Sequence, residues 1–170
     1  TISEAFINTI INITNVMEGM EIKRKNFVCT KAIIEFSVLS GSYINSSWYN
    51  ILTIVSKLEY YHAISGQYRN EAELFAKEIR RKSKSKYPEK EIEIEAKNTD
   101  LISNNISMII CDNIFSKTST FNLDGITSFI SALCLVSKNE LDNFFNPRNY
   151  SLHKLVEVAD FNIFRIQIEW

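Results

Sequence analysis

A Glu-x-x-His pair is the feature of this sequence closest to a catalytic motif. Glu59 and His62 are three residues apart, so a helix would place both on one face, as in half of a di-iron carboxylate site. Such a site needs a second Glu-x-x-His, and the only other histidine, His153, has no glutamate three residues before it. His153 and Glu157 could pair along a helix, but the zinc motif HExxH is absent. We therefore interpret both pairs as helix-surface contacts and expect neither a metal nor another cofactor.

The glycine and cysteine patterns exclude other common chemistries. The four glycines lie too far apart to form a P-loop, a dinucleotide fingerprint or a nucleophile elbow. Cys29, Cys111 and Cys134 are widely spaced and include no CxxC pair. We interpret them as buried apolar residues in a reducing compartment rather than as disulfides or zinc ligands. The sequence thus predicts no catalytic residue, and we expect that the chain is not an enzyme by itself.

One cluster of cations has functional potential. The basic block comprises six residues within ten positions: Lys77, Arg80, Arg81, Lys82, Lys84 and Lys86. Such a block can bind anionic lipid, at about 1 kcal/mol per charge near the surface, or an acidic protein patch. Glutamates at 89, 91, 93 and 95 follow directly, so a solvated linker is the alternative interpretation. The net charge of the chain, −1, argues against nucleic-acid binding, which needs an excess of Lys and Arg.

Helices must position these residues. The chain has only four Gly and two Pro, and its apolar residues recur at spacings of three and four. The pattern predicts helices over 3–17, 21–40, 46–65, 101–116, 125–137 and the residues after Ser151, with a last one beginning near Phe161. The expected N-caps are Ser46 or Ser47, Asp100, Asp124, Ser151 and Asn162. Trp48 is expected to anchor the core.

The helix over 21–40 is apolar on two faces. One face carries Val28, Ala32, Phe36 and Leu39. The other carries Phe27, Ile34 and Val38. A helix apolar on two faces is usually sandwiched between neighbours, so we expect both faces to be covered.

These elements predict an all-α fold in which antiparallel helix pairs stack as a short α-solenoid of the armadillo/HEAT kind. Residues 1–170 are expected to form one helical domain with a flexible charged insertion at about 67–100. Within that insertion the alternation of Glu and Ile at 91–95 could form a short strand, but an isolated strand has no partner here, so we expect a loop or a frayed helix. No apolar run approaches the roughly 20 residues that span a bilayer, and no signal peptide is visible, so we expect a cytoplasmic location. The chain starts at Thr1 without Met and stops at Trp170 inside an apolar-periodic run, so we expect a fragment of a larger protein.

Two stretches carry ordered strings of residues that match one known family. The first contains KAII at 31–34, GSY at 41–43, SWYNIL at 47–52 and VSKLE at 55–59. The second contains LDGI at 123–126, VS at 136–137, EL at 140–141, PR at 147–148, SLHKLVEVA at 151–159 and FN at 161–162, then Arg165 and Trp170. Over residues 21–66 and 108–170 the chain resembles the first homology region downstream of the Sec7 domain in large ARF guanine-nucleotide exchange factors of the BIG/Sec7 type. Segment 67–100 matches no part of that pattern, and we expect it to be an insertion.

The resemblance implies a regulatory segment rather than an enzyme. In this family the preceding Sec7 domain carries the exchange activity, and its catalytic glutamate has no equivalent here. The downstream region is associated with restraint of the Sec7 domain, membrane recruitment and sensing of activated ARF at the trans-Golgi.

The partners that the resemblance implies are a GTP-bound ARF-family GTPase, the Sec7 domain and other regions of the same polypeptide, and an anionic Golgi membrane to which the protein attaches peripherally. The basic block is the candidate membrane or partner contact. The alternative is a generic helical scaffold or dimerisation domain without a direct role in binding ARF or membranes.

Overall fold

The computed structural model describes residues 2–14, 16, 20–70, 88–144 and 146–165. Within these ranges all regular structure is helical: α1 (Ile2–Thr14), α2 (Arg24–Ser40), α3 (Trp48–Asn70), α4 (Pro88–Asn105), α5 (Met108–Lys117), α6 (Leu123–Leu141) and α7 (Tyr150–Phe161). Short 3-10 turns occupy Gly41–Tyr43, Asn45–Ser47, Thr118–Thr120 and Ile163–Arg165. The predicted all-α class is confirmed.

Helix α3 lies at the centre of the packing. It contacts α4 and α6, and α6 in turn packs on α7. Helix α1 packs on α2, and α5 contacts both α2 and α7. All these helices contribute residues to one hydrophobic core. The first turns of α4 are an exception, because Ile92 is buried there outside the main cluster. The stacking of these pairs into a solenoid stays a prediction.

Trp48, the first residue of α3, is at the centre of an aromatic cluster. Its indole is fully buried, stacks on Phe121 with ring centroids 5.8 Å apart and meets the edge of Phe129 at 4.7 Å. Phe115 of α5 packs edge-on against Phe129 at 6.0 Å. The indole Nε1 donates a hydrogen bond to the Gly41 carbonyl at 3.2 Å, so the polar atom of this side chain is satisfied. The prediction that Trp48 anchors the core is confirmed.

Two glycines allow the turn after α2 to approach the start of α6. A Cβ on Gly41 would lie 2.0 Å from Cζ of Phe121, and one on Gly125 would lie 2.7 Å from Cα of Ser42. A hydrogen bond joins the same two segments, because the Asn122 amide donates to Ser42 Oγ at 3.0 Å. The GSY string at 41–43 and the LDGI string at 123–126, 80 residues apart in sequence, therefore interlock in space.

The helix starts differ from the predicted caps at two places. Asn122, not Asp124, caps α6, and its side chain accepts from the Gly125 amide at 2.8 Å. Asp100 lies inside α4, and the cap of the following helix is Ser107. A cap residue needs extended backbone, which Asn122 and Ser107 have, with ψ of 171° and 136°. Asp124, one position inside α6, favours the helix through the macrodipole instead.

The other predicted caps act as links between elements. The hydroxyls of Ser46 and Ser47 bind Glu4 and Asn8 of α1 at 2.8 and 3.3 Å. Ser151 lies within the first turn of α7, one residue after the helix begins. Asn162 lies at the C-terminal cap of α7, and the described residues after it form the 3-10 turn Ile163–Arg165.

The segment expected as a loop or frayed helix is instead the regular helix α4. Pro88 occupies its first position, where proline suits the helix, and Glu89 and Glu91 lie in the first turn, where carboxylates favour it. The buried residues Ile92, Thr99 and Ile102 recur at helical spacing on the side facing the core. The alternation of Glu and Ile at 91–95 obscured this longer period. Residues 88–100 of the expected flexible insertion are therefore helical, whereas residues 71–87 lie outside the described ranges.

Helix α2 is covered on one face only. Ile33, Ile34 and Ser37 are buried, and Phe27 and Val38 pack on the core. The other apolar face remains exposed to solvent: Val28, Ala32, Phe36 and Leu39. The prediction that α2 is sandwiched is wrong for this second face.

The three cysteines occupy three different environments. Cys111 is buried, and burial together with the nearby Asp112 carboxylate raises the pKa of its thiol to about 12. Cys29 is half-buried, and Cys134 is exposed on α6. The prediction of three buried cysteines is confirmed for Cys111 and wrong for Cys134, because α6 turns its neighbours Leu133 and Val136 inward and leaves Cys134 on the solvent side.

We expect Gly41→Ala to lower the free energy of unfolding by about 1–3 kcal/mol, because the new methyl group overlaps the Phe121 ring in a filled core. Urea denaturation followed by circular dichroism measures the effect. Ser131→Ala, at an exposed position of α6, is the control and should change stability by no more than about 0.5 kcal/mol. Equal midpoints for Gly41→Ala and the wild type would contradict the close approach.

Candidate functional site

A buried carboxylate joins three helices. Glu140 of α6 is 7% exposed and accepts hydrogen bonds from the Ser151 amide at 2.8 Å and from Ser151 Oγ at 2.7 Å. The hydroxyl of Ser56 in α3 donates to the same carboxylate. A buried charge is tolerated only when it is fully hydrogen-bonded, and here every donor comes from another helix. Glu140 therefore fixes α3, α6 and α7 relative to one another.

Arg148 completes this polar junction from the segment that links α6 to α7. Its guanidinium pairs with Glu59 of α3, donates to the Ser56 carbonyl at 2.8 Å and lies 3.9 Å from the Glu140 carboxylate. Its backbone amide donates to the Glu140 carbonyl at 3.1 Å. The two carboxylates and the one guanidinium are all partly or fully removed from water, so the pairing is stronger than a surface ion pair.

Lys57 extends the junction towards α4. Its ammonium lies 3.7 Å from Glu95 and above the rings of Tyr60 and Tyr61, at 4.3 and 4.9 Å. Burial lowers the pKa of Lys57, the Glu95 carboxylate opposes that effect, and the Arg148 cation reinforces it. Burial also raises the pKa of both tyrosines above its ordinary value, and the Glu95 carboxylate adds to this effect.

A small open cavity of about 180 Å³ lies beside the junction. Its walls include the side chains of Lys57, Asn139, Asn143, Asn146 and Arg148. Both cations already face carboxylates, which leaves little charge for an incoming ligand. The arrangement offers no activated nucleophile and no isolated acid or base among the described residues, so its chemistry is that of a structural link.

The residues singled out for metal chemistry are separated. Glu59 binds Arg148, and His62 Nε2 contacts the Ile106 carbonyl at 2.6 Å, at the break between α4 and α5. Glu157 instead binds the Lys154 ammonium. The described part of the chain holds no group of three or more His, Cys, Asp or Glu side chains placed to bind a metal ion. The six residues of the basic block, Lys77, Arg80, Arg81, Lys82, Lys84 and Lys86, lie outside the described residues.

A second polar link closes the C-terminal end of α7. Asn162 Nδ2 donates to Thr118 Oγ1 at 3.0 Å, and Arg165 donates to the carbonyls of Thr118 and Phe121 at 3.3 and 2.9 Å. Arg165 also donates to Asn162 Oδ1 at 3.2 Å. The FN string and Arg165 thus hold the turn that leads into the LDGI string.

Within the described residues, no helix is both long and apolar enough to cross a membrane.

Sequence reasoning missed the polar junction. Ser56, Glu140 and Arg148 are ordinary polar residues at separations of 84 and 92 positions, and no local pattern predicts that they meet. The one available signal is that all three belong to strings that resemble the same family, and in the structure these strings contact one another.

We expect Glu140→Ala to destabilise the protein by about 3–5 kcal/mol, because it leaves the buried donors of Ser56 and Ser151 without their acceptor and removes the carboxylate 3.9 Å from Arg148. Denaturant unfolding measures the loss, and Glu35→Ala on the exposed side of α2 is the control. Similar midpoints for the two variants would show that the junction does not hold the helices.

Comparison with known proteins finds relatives along nearly the whole chain. The ADP-ribosylation factor guanine nucleotide-exchange factor sec72 of Schizosaccharomyces pombe is 31% identical over 198 residues, which cover 99% of this chain and 10% of that protein. Brefeldin A-inhibited guanine nucleotide-exchange protein 2 of Arabidopsis thaliana is 26% identical over 206 residues, covering 98% of this chain and 12% of that protein. The exchange factor SEC7 of Saccharomyces cerevisiae is 28% identical over 196 residues, covering 98% of this chain and 10% of that protein.

No family model and no solved structure matches the chain. The chain spans about a tenth of the length of the curated relatives just described. The aligned region includes both motif-bearing stretches and the segment between them. The chain is therefore homologous to one segment of the BIG/Sec7-type ARF guanine-nucleotide exchange factors, the family that its motifs resemble.

Proposed function

We propose that this chain is a non-catalytic regulatory segment of an ARF guanine-nucleotide exchange factor that acts in Golgi vesicle traffic. In this role it helps to control the recruitment of a neighbouring Sec7 domain and its exchange activity. The observation that carries the proposal is the similarity of 98–99% of the chain to about a tenth of proteins named as exchange factors.

The contacts of the polar residues support a role in binding rather than in chemistry. Glu140 and Asn162 are buried and Arg148 is half-buried, and each is engaged in links between helices. A segment built in this way acts through the surfaces that its rigid helices present. Its partners are then a GTP-loaded ARF, the Sec7 domain or other parts of the same polypeptide, and the anionic surface of Golgi membranes.

A generic helical scaffold or dimerisation domain is the second candidate. The number of interhelical links favours it, since a spacer between domains needs rigidity and no recognition surface. The two candidates differ in one measurable property, which is whether the isolated chain binds activated ARF.

We expect the purified chain to bind ARF loaded with a non-hydrolysable GTP analogue at least about ten-fold more tightly than ARF loaded with GDP, because a sensor responds only through a difference in affinity between the two states. Biolayer interferometry measures both affinities. A parallel assay follows the release of a fluorescent nucleotide from ARF. The rate of release should not change when the chain is added at a sub-stoichiometric concentration. Equal or absent binding of the two forms would favour the scaffold, and accelerated release would refute a non-catalytic role.

We expect the basic block to contribute weak, salt-dependent binding to vesicles that contain about 30% phosphatidylserine, since six cations near an anionic surface contribute at most a few kcal/mol after screening. Replacing Lys77, Arg80, Arg81, Lys82, Lys84 and Lys86 with Ala should abolish co-sedimentation at low salt. The matched control removes six exposed cations elsewhere: Lys23, Lys25, Lys90, Lys97, Lys117 and Lys138. If both variants lose binding equally, net charge and not the block is responsible.

A further inference from the structure

The exposed face of α2 is an apolar stripe flanked by cations. Val28 and Leu39 are 55% and 85% exposed, and Ala32 and Phe36 lie between them on the same side of the helix. We call these four residues the α2 stripe. Arg24 and Lys25 of the first turn are exposed, and Lys31, about two turns further along the helix, is half-buried. Glu35 is the one carboxylate of α2, so the surface around the stripe is predominantly positive.

Helix α7 and the turn after it carry a second apolar stripe. Its residues, spaced by four, three and four positions, are all exposed: Leu152, Val156, Ala159 and Ile163. We call them the α7 stripe. An open cavity of about 490 Å³ lies along it, lined by Val156, Ala159, Ile163 and the acidic residues Glu157 and Asp160. The Lys154 ammonium is shared between Asp112 and Glu157, so the surface beside this stripe is negative.

The two stripes extend over the same number of residues and have flanking charges of opposite sign. Each runs eleven positions from its first residue to its last, and for the α2 stripe, which is helical throughout, this is about 16 Å. One is bordered by cations and the other by carboxylates. Within the described residues, neither stripe is covered by another part of the chain. Contiguous exposed apolar residues of this kind mark interaction surfaces, whereas single exposed apolar residues are common and carry no such meaning.

We propose that the α2 stripe of one molecule docks on the α7 stripe of a second molecule. The contact is heterologous, because it joins two different surfaces, so each bound molecule still presents one free stripe of each kind. Association then continues head to tail beyond the dimer unless the geometry closes a ring. Stripes of this size are smaller than the surfaces of stable complexes, so binding is weak, in the range of about 10 μM to about 1 mM.

Sedimentation velocity of the 170-residue chain over that concentration range tests the proposal. We expect the weight-average sedimentation coefficient of the wild type to rise with concentration. Leu39→Asp and Val156→Asp change exposed residues, and each variant alone should remain monomeric. Leu135→Asp, at an exposed position of α6, is the matched control and should associate like the wild type. Circular dichroism of each variant confirms that its helices are intact.

Mixing the two Asp variants distinguishes this contact from a symmetric one. The Leu39→Asp molecule keeps its α7 stripe and the Val156→Asp molecule keeps its α2 stripe. An equimolar mixture should therefore form pairs that stop at the dimer, because each pair has no usable stripe left. A symmetric α2–α2 contact would let Val156→Asp dimerise alone, and a symmetric α7–α7 contact would let Leu39→Asp do so. Either result would overturn the proposal.

Charge reversal tests the complementarity separately. Arg24→Glu with Lys25→Glu places carboxylates in the first turn of α2, and Asp160→Lys places a cation near the end of α7, so both changes also suit the helix dipoles. We expect each variant alone to associate at least about ten-fold more weakly than the wild type, and an equimolar mixture to recover. A wild type that stays monomeric at about 1 mM, or a mixture that shows no recovery, would overturn the proposal.

Discussion

Burial of the Trp48 indole is the interaction on which the rest of the fold depends. The ring is in contact with Phe121 from the turn before α6 and with Phe129 from α6 itself, so α3 and α6 cannot separate without exposing all three rings. Large aromatic side chains contribute several kcal/mol each when fully buried. The close approach that this cluster requires also explains why positions 41 and 125 hold glycine, since any side chain there would displace the Phe121 ring or the backbone at Ser42.

Polar side chains from distant helices form hydrogen bonds with the backbone groups that helix ends leave unpaired. The last carbonyls of a helix have no hydrogen-bond partner within that helix, and the same holds for backbone groups where one helix stops before the next begins. Here Asn26 binds the Ile13 carbonyl at the end of α1, and His62 contacts the Ile106 carbonyl between α4 and α5. Asn98 holds both Met20 and Ile22 of the extended segment before α2. Each link satisfies a backbone group and at the same time fixes the position of one element on another.

The helices themselves were predictable because their periodicity is local. The α3 and α6 helices each place apolar residues every three or four positions, and both were expected near their observed limits. The caps of α5 and α6 were misplaced because Asp100 and Asp124 are as suitable in composition as Ser107 and Asn122. Only the backbone conformation distinguishes them. The α4 helix was missed because the charged residues at 89–95 hid its buried stripe.

The polar junction could not be predicted for a different reason. Ser56, Glu140 and Arg148 come from three separate regions, and their meeting is a product of the tertiary packing around Trp48. A buried glutamate cannot be told from an exposed one by its sequence context. The resemblance to one family indicated that both stretches matter, but it could not say that they matter by binding one another.

The distribution of these links decides where the molecule can interact. The motif strings on α3, α6 and α7 contribute to the interior through the aromatic cluster, the polar junction or the Asn162 link, and the KAII string contributes the buried Ile33 and Ile34, so changes there act on stability first. The outer sides of α2 and α7 are free of such links, yet they carry Leu39 and Val156, which are 85% and 68% exposed. A rigid interior keeps these two surfaces at fixed positions, and fixed positions lower the entropy lost on binding a partner. The interior of the segment thus makes its recognition surfaces effective without taking part in recognition.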